Sequence, residues 1–326
     1  RCKKTELYMG RRIRKPIELA LSVLPIFMLT GCSSATTEEQ QDTTPGVVQL
    51  YGQSEGFGTR GSLMLQASKL STSVQMGCLA YNTTDDTQRN TTPFYFDIDD
   101  NQHFSTATGS EILKYPLLEK YMYLCTWIPY KSDTQYTSNA SNVQFTIQTD
   151  QSTDANYLAS DLLYGKSASF NSTSTSNIIH YQHLLSRLDI YLTVGSGVSI
   201  SDLRGADVYI CGVKPTIDFS LADGSLGTAS GDAVNVKAFT VSSTASSASD
   251  LQASIYFPPQ TLSKGSLYLM IKLGSSSVKT YLSKDNVFET KTYYTYNYEI
   301  TSDAVDIGAG VKAFKIVEIT GSATEQ

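Results

Sequence analysis

The sequence predicts an all-β protein, and three observations carry that prediction. Ser, Thr and Tyr abound, with 21 tyrosines against one tryptophan, Trp127, a composition suited to pleated, half-buried strands. Charged residues make up 17 %, too few to solvate long helices. Short apolar or alternating runs recur between turn residues, with the lengths and spacing of antiparallel β-sandwiches and not of βαβ units.

The first element is not part of that fold. From Met9, the expected start residue, Arg11, Arg12, Arg14 and Lys15 precede an apolar stretch over 19–29 and then Leu29-Thr30-Gly31-Cys32. A basic region, a short apolar region and small residues before a cut make an export signal, too short for a permanent span. Leu-Thr-Gly-Cys resembles the lipobox of bacterial lipoproteins, which implies a diacylglycerol on the Cys32 thiol, cleavage before it and acylation of the new amino group. Several acyl chains anchor far better than one, each buried methylene contributing ~0.8 kcal/mol. An ordinary secretory peptide with an incidental cysteine is the competing reading. Residues 1–8 are expected to belong to no mature product.

Residues 1–31 carry seven basic and two acidic side chains, a net +5, so the chain's −6 becomes −11 once they are removed. An acidic product without basic runs lacks what nucleic acid demands. The membrane link therefore rests on lipid at Cys32 alone. About 295 residues remain, enough for two domains of ordinary size.

Along the mature chain, 32–46 is a polar tether with Glu38, Glu39 and Asp42 and little to bury. A first strand is expected at 47–51. The glycine-rich loop Gly56-Phe57-Gly58-Thr59-Arg60-Gly61 follows, and 62–81 then alternates through Leu63, Leu65, Val74 and Met76. Further strands are expected at 94–96, 121–127, 143–147, 188–194, 208–213, 254–257, 267–273, 293–300 and 313–319. Helical signal is confined to 111–118 and 156–164. The Ser/Thr/Asn loop at 171–177 is the best interdomain boundary, giving sandwiches over 47–172 and 173–326. A second such loop, 242–250, lies inside the distal half.

Cys78, Cys125 and Cys211 remain after lipidation of Cys32. Three is odd, and each sits in an apolar run without Cys-x-x-Cys spacing. They read as buried free thiols acting as small hydrophobes, not as a disulfide framework or a zinc site. His180 and His183 are separated by three residues, which suits two ligands only on a helix or turn, so no metal is expected. Ser160, Asp161 and His183 could be drawn as a hydrolase triad, but no Gly-x-Ser-x-Gly elbow accompanies them, and Asp161 reads as a turn or helix cap. Asp97, Asp99 and Asp100 lack the glycine of a calcium loop and read as an exposed acidic turn. Pro258-Pro259 suits a sheet edge or corner. No catalytic residue and no cofactor are expected.

Asp150-Gln151-Ser152, Ser160-Asp161-Leu162-Leu163-Tyr164-Gly165, His183-Leu184-Leu185-Ser186-Arg187-Leu188, Phe257-Pro258-Pro259-Gln260 and Tyr293-Tyr294-Thr295-Tyr296 occur in this order. Behind a lipobox, that order resembles the fimbrillin family, the lipoprotein precursors of Bacteroidales type V pili, over most of the mature chain. The resemblance implies two tandem transthyretin-like β-sandwiches, removal of the first strand by an arginine-specific protease, and refilling of the groove by a neighbour's terminal strand. Mapped here, it makes Arg60 and Gly61 the processing point, 47–51 the discarded strand, and Phe314, Ile316, Val317 and Ile319 the donor. Residues 315–326 depart from the family in lacking a tryptophan-containing terminal strand. A bland loop arginine at Arg60 and an ordinary terminal strand at 313–319 are the alternatives, the latter favouring a tip or accessory subunit over a stalk subunit. The implied partners are other fimbrial subunits, the outer membrane through lipid, and a host or bacterial surface ligand. The competing function is a monomeric surface-anchored lipoprotein that captures glycan or protein.

Overall fold

The computed structural model describes residues 46–54, 69–117, 120–131, 142–174, 177–303 and 313–325. Strands dominate. In chain order they are β1 (Leu50–Ser54), β2 (Gln75–Asn82), β3 (Phe94–Ile98), β4 (His103–Thr106), β5 (Met122–Tyr130) and β6 (Asn142–Thr146), then helix α1 (Asp154–Leu158), β7 (Leu163–Lys166) and β8 (Ile178–His183). After them come β9 (Ser186–Val194), β10 (Asp207–Val213), β11 (Thr216–Ser220), β12 (Val234–Thr240), β13 (Gln252–Phe257), β14 (Gln260–Leu262), β15 (Leu267–Leu273), β16 (Ser276–Tyr281), β17 (Asn286–Phe288), β18 (Thr292–Asp303) and β19 (Ala313–Glu325).

The first strands close on themselves in the order β1-β4-β3-β2-β5-β7-β8. Their inward residues, among them Leu50, Cys78, Phe96, Phe104, Leu124 and Tyr181, form one hydrophobic core. The sequence expectation for this half was an antiparallel β-sandwich; here β1 pairs parallel to β8 and antiparallel to β4, which closes the sheet. β8 lies beyond the 171–177 loop, so the chain leaves this closed sheet between His183 and Ser186.

The distal strands make two four-stranded sheets, β12-β10-β15-β16 and β13-β9-β18-β19. Val208, Ile210 and Leu269 of one and Leu188, Ile190, Ile255 and Tyr298 of the other belong to a single second core. β9 and β18 run parallel, and the other pairings of these two sheets are antiparallel.

β2 and β5 feed both cores. Cys78, Ala80, Leu124 and Ile128 point into the closed sheet, while Leu79, Cys125 and Trp127 point into the distal core. Burial on both faces explains why these strands read as continuous apolar runs without alternation. Gly77 is where the Trp127 indole crosses β2: a Cβ there would fall 2.6 Å from Trp127 Cε2. The two-stranded pair β6–β11 extends the contact, with Phe219 edge-on to Trp127 at 6.3 Å.

Two helical expectations are corrected. Residues 111–117 form no helix: Val48 N donates to Leu113 O at 3.0 Å and Tyr115 N to Gly46 O at 2.9 Å, and Leu113, 2 % exposed, anchors the segment in the first core. The helix expected over 156–164 ends at Leu158, because Leu163 and Tyr164 enter β7 and pair with β5. Thr153 caps it, accepting from Asn156 N.

Candidate functional site

The feature most open to function is the seam where β1 closes the first sheet. β1 alternates strictly: Val48, Leu50, Gly52 and Ser54 are buried, while Val47, Gln49, Tyr51 and Gln53 are exposed. Register places Leu50 and Tyr51 opposite Phe104 and His103, and Tyr51 to Ser54 beside 178–181. Tyr51 N donates to Asn177 O at 3.1 Å, Gly52 N donates to Gln102 O at 2.9 Å, and Asn177 Nδ2 donates to Gln49 O at 3.0 Å. The slot is shallow at Gly52, where a Cβ would fall 2.5 Å from Phe104 Cζ and closer still to Leu70. Leu70 is held there by its N–H, which donates to Gln102 Oε1 at 2.5 Å.

Of the residues tied to this seam by sequence, Cys32, Arg60 and Gly61 lie outside the described residues. The tail is described: β19 pairs along the whole of β18 and ends its sheet. Ile316 is buried, Phe314 packs partly on the distal core and Val317 is 39 % exposed. A register shift between Asn297 and Tyr298 leaves the backbone of Ile319 as the extra residue, since Thr320 and Glu318 take the flanking pairs.

Three of the five resemblance-bearing motifs meet elsewhere, in a buried polar cluster that holds Gln151, Asp161, His183 and Arg187. His183 Nδ1 lies 2.7 Å from Asp161 Oδ1, the two residues being 4 % and 8 % exposed. Asp161 is thus a histidine partner and not the expected cap. The imidazole stacks on Tyr256 at 6.0 Å, and Tyr256 packs on Tyr157 at 4.9 Å. Gln151, fully buried, donates to Tyr256 O at 2.8 Å and accepts from Tyr256 N at 2.9 Å. Arg187 Nε donates to Asp189 Oδ1 at 2.8 Å, and its Nη2 donates to Ser254 Oγ at 3.2 Å. Burial pulls the Arg187 guanidinium down, but Tyr157, Tyr256 and Asp189 outweigh it and push it up. Burial also pushes the Tyr157 phenol up to about 12.

This cluster is built to hold structure. Ser160 gives its hydroxyl to Asn156 O at 2.8 Å and accepts from Gln148 N at 2.9 Å, so it is spent on backbone. His180 and His183 point to opposite faces of β8, one exposed and one buried, and cannot share a ligand. Sequence reasoning missed Gln151 and Asp189 as cluster members. The order of the motifs was their only trace, because residues 105 positions apart meet here.

Other expectations resolve locally. Asp99 Oδ1 accepts from the backbone of Asn101 and His103 at 2.8 and 2.9 Å, closing the β3–β4 turn. Cys78, Cys125 and Cys211 are buried free thiols, and burial pushes each one up. An open cleft of about 610 Å³ is lined by Asp223, Ser225, Pro259, Glu289 and Lys291 among others.

Comparison with solved structures sets this fold beside a candidate cell adhesion protein of Bacteroides ovatus ATCC 8483. The TM-score is 0.63 at 15 % identity, covering 85 % of this chain and 97 % of the other. A second such protein, from Bacteroides uniformis ATCC 8492, gives 0.55 at 15 % identity, covering 84 % and 97 %. At this identity the likeness speaks for the fold. No curated protein matches the chain. The model of the fimbrillin-like family matches residues 59–317, a span that starts ahead of β2 and ends within β19. With that match over most of its length, the chain belongs to the fimbrillin-like family.

Proposed function

We propose that this chain is a surface fimbrial subunit, exported as a lipoprotein through Cys32, cut at Arg60 and assembled by strand exchange to support cell adhesion. It acts as a structural protein without cofactor or catalytic residue, in two domains that receive and offer strands. The observation that carries the reading is the seam. β1 is five residues long, runs directly into the segment holding Arg60, and closes a sheet whose core it completes with Leu50. Withdrawing it would leave β4 and β8 with unpaired edges over an apolar groove, and strand addition satisfies both needs. A head-to-tail contact of this kind need not close, so it propagates as a filament.

The test is treatment of the purified chain with an arginine-specific protease. The expected outcome is one cut at Arg60 followed by ladders on mildly heated SDS gels, with both lost in Arg60→Ala. A chain that is cut but stays single would instead favour capture of a glycan or protein ligand, for which the open cleft beside Glu289 and Lys291 offers a place.

A further inference from the structure

The outward side of the seam gathers apolar surface that the core does not use. Tyr51 and Ile178 are register partners across β1 and β8, and they are 40 % and 45 % exposed. Val47 shares the outward face of the same segment, four positions before Tyr51, and is 49 % exposed. It is bridged to Lys114. Ile112, 53 % exposed, stands with Lys114 on either side of the buried Leu113. Nine large apolar side chains are exposed among the described residues, and four of the nine are these. Single exposed apolar residues are ordinary, but several on neighbouring segments with a polar rim mark a contact face.

The rim sorts the partners. Gln49, Gln53, His103 and His180 are exposed around the cluster, with Lys114 and Glu111 as charges of opposite sign. His103 lies edge-on to the Tyr51 ring at 4.6 Å, and its Nδ1 is 3.4 Å from Asp99 Oδ2. A rim of this kind has no excess of positive charge to offer a polyanion. It suits an apolar contact under a polar, electrically neutral layer. Tyrosine fits such a boundary, because its ring is apolar and its hydroxyl stays wet.

Where the chain enters this face points to what covers it. Gly46 stands 14 residues after Cys32 and directly before Val47. A polar stretch of that length spans about 20 Å on average, so an anchor at Cys32 holds the entry face nearest to the acyl chains. Resting on the lipoprotein reading above, we infer that Val47, Tyr51, Ile112 and Ile178 dock on the surface of the bilayer that holds the Cys32 lipid. The acyl chains supply the hold, and the four side chains fix the pose. In that pose the precursor lies with its seam toward the membrane, and the outer side of β1 is covered by lipid headgroups.

Quenching by nitroxide-bearing lipid tests the pose. The uncut, lipid-bearing chain is reconstituted into phosphatidylcholine vesicles with one added cysteine that carries an environment-sensitive fluorophore. Cys78, Cys125 and Cys211 are buried and stay unlabelled. Ile178→Cys and Ile112→Cys report on the face, while Tyr281→Cys, at a position 59 % exposed on β16, reports from the distal sheets. Nitroxide lipid should quench the first two several-fold more than the third. Equal quenching at all three positions overturns the inference and leaves the anchor standing. Shielding at position 178 that follows the density of protein on the vesicle, and not the nitroxide content, assigns the face to a second copy and overturns it as well. Tyr51→Ser in the Ile112→Cys chain gives a second reading: the chain stays on the vesicle through its lipid, and quenching at position 112 should fall several-fold. Unchanged quenching there contradicts the docking face. A Cys32 peptide whose mass shows no acyl chain sinks the lipoprotein reading, and the inference with it.

Discussion

At the scale of single residues, the decisive chemistry is charge kept out of water. Arg187 and Asp189 are 9 % and 7 % exposed, two positions apart on one strand, with Ser254 completing the set. Such a pair adds little by existing and costs much when halved, since the survivor is a buried charge without its counterion. Asp189→Ala should therefore destabilise the protein by about 3–5 kcal/mol, read as a lower denaturant midpoint with an unchanged slope. His183 and Asp161 stand beside that pair, and Gln151 ties Tyr256 in by both its amide oxygen and nitrogen. Three of the motifs that mark the family in sequence thus meet where segments more than a hundred positions apart are fastened together. They were legible as an ordered series of weak signals. Their meeting was not, because side chains separated by more than a hundred positions leave no local periodicity.

At the scale of elements, unequal pairing should produce unequal stability. β1 has two register partners on β4 and four on β8, whereas β18 is paired along twelve residues with β19. Opening free energy follows the number of bonds and contacts broken together. Amide hydrogens of β1 should accordingly exchange sooner than those of β2 and β5 in native-state hydrogen exchange. Equal protection across the three strands would contradict this. The strands most readable from sequence were those with one apolar face or two, such as β3, β5, β9 and β15. β16 escaped notice because it reads Ser-Ser-Val-Lys-Thr-Tyr and is largely exposed at a sheet end. β8 alternates through Ile179, Tyr181 and His183, but two histidines and a glutamine in six residues, directly after a Ser/Thr/Asn stretch, dilute its apolar signal. The thin helical signal over 111–118 gives way to long-range pairing of 113–115 with 46–48, which outweighs a weak local preference.

For the whole molecule, charge governs how readily copies approach. Residues 32–60 carry four acidic side chains and one basic, so a chain beginning at Gly61 has a net charge of −8. Like-charged subunits repel over roughly 10 Å at 0.1 M salt and over less as salt rises. Assembly of the cleaved chain should therefore quicken with added sodium chloride, followed by light scattering after protease treatment. A rate that falls with salt would mean that opposite charges guide the encounter. Length and composition led to the expectation of two domains, and the described residues hold two hydrophobic clusters. Their sharing of β2 and β5 was not foreseeable, since nothing in a run such as Met-Gly-Cys-Leu-Ala tells how many neighbours it serves.

The closed ring of hydrogen bonds completed by β1 has a consequence for timing. While that strand is in place, the ring offers no frayed backbone for another chain to grip, however crowded the surroundings. Under the proposed maturation, growth waits on the scission of one peptide bond, which does not reverse, and not on reaching a threshold concentration. Such a molecule can be stockpiled inert and released to polymerise only where the cutting enzyme resides.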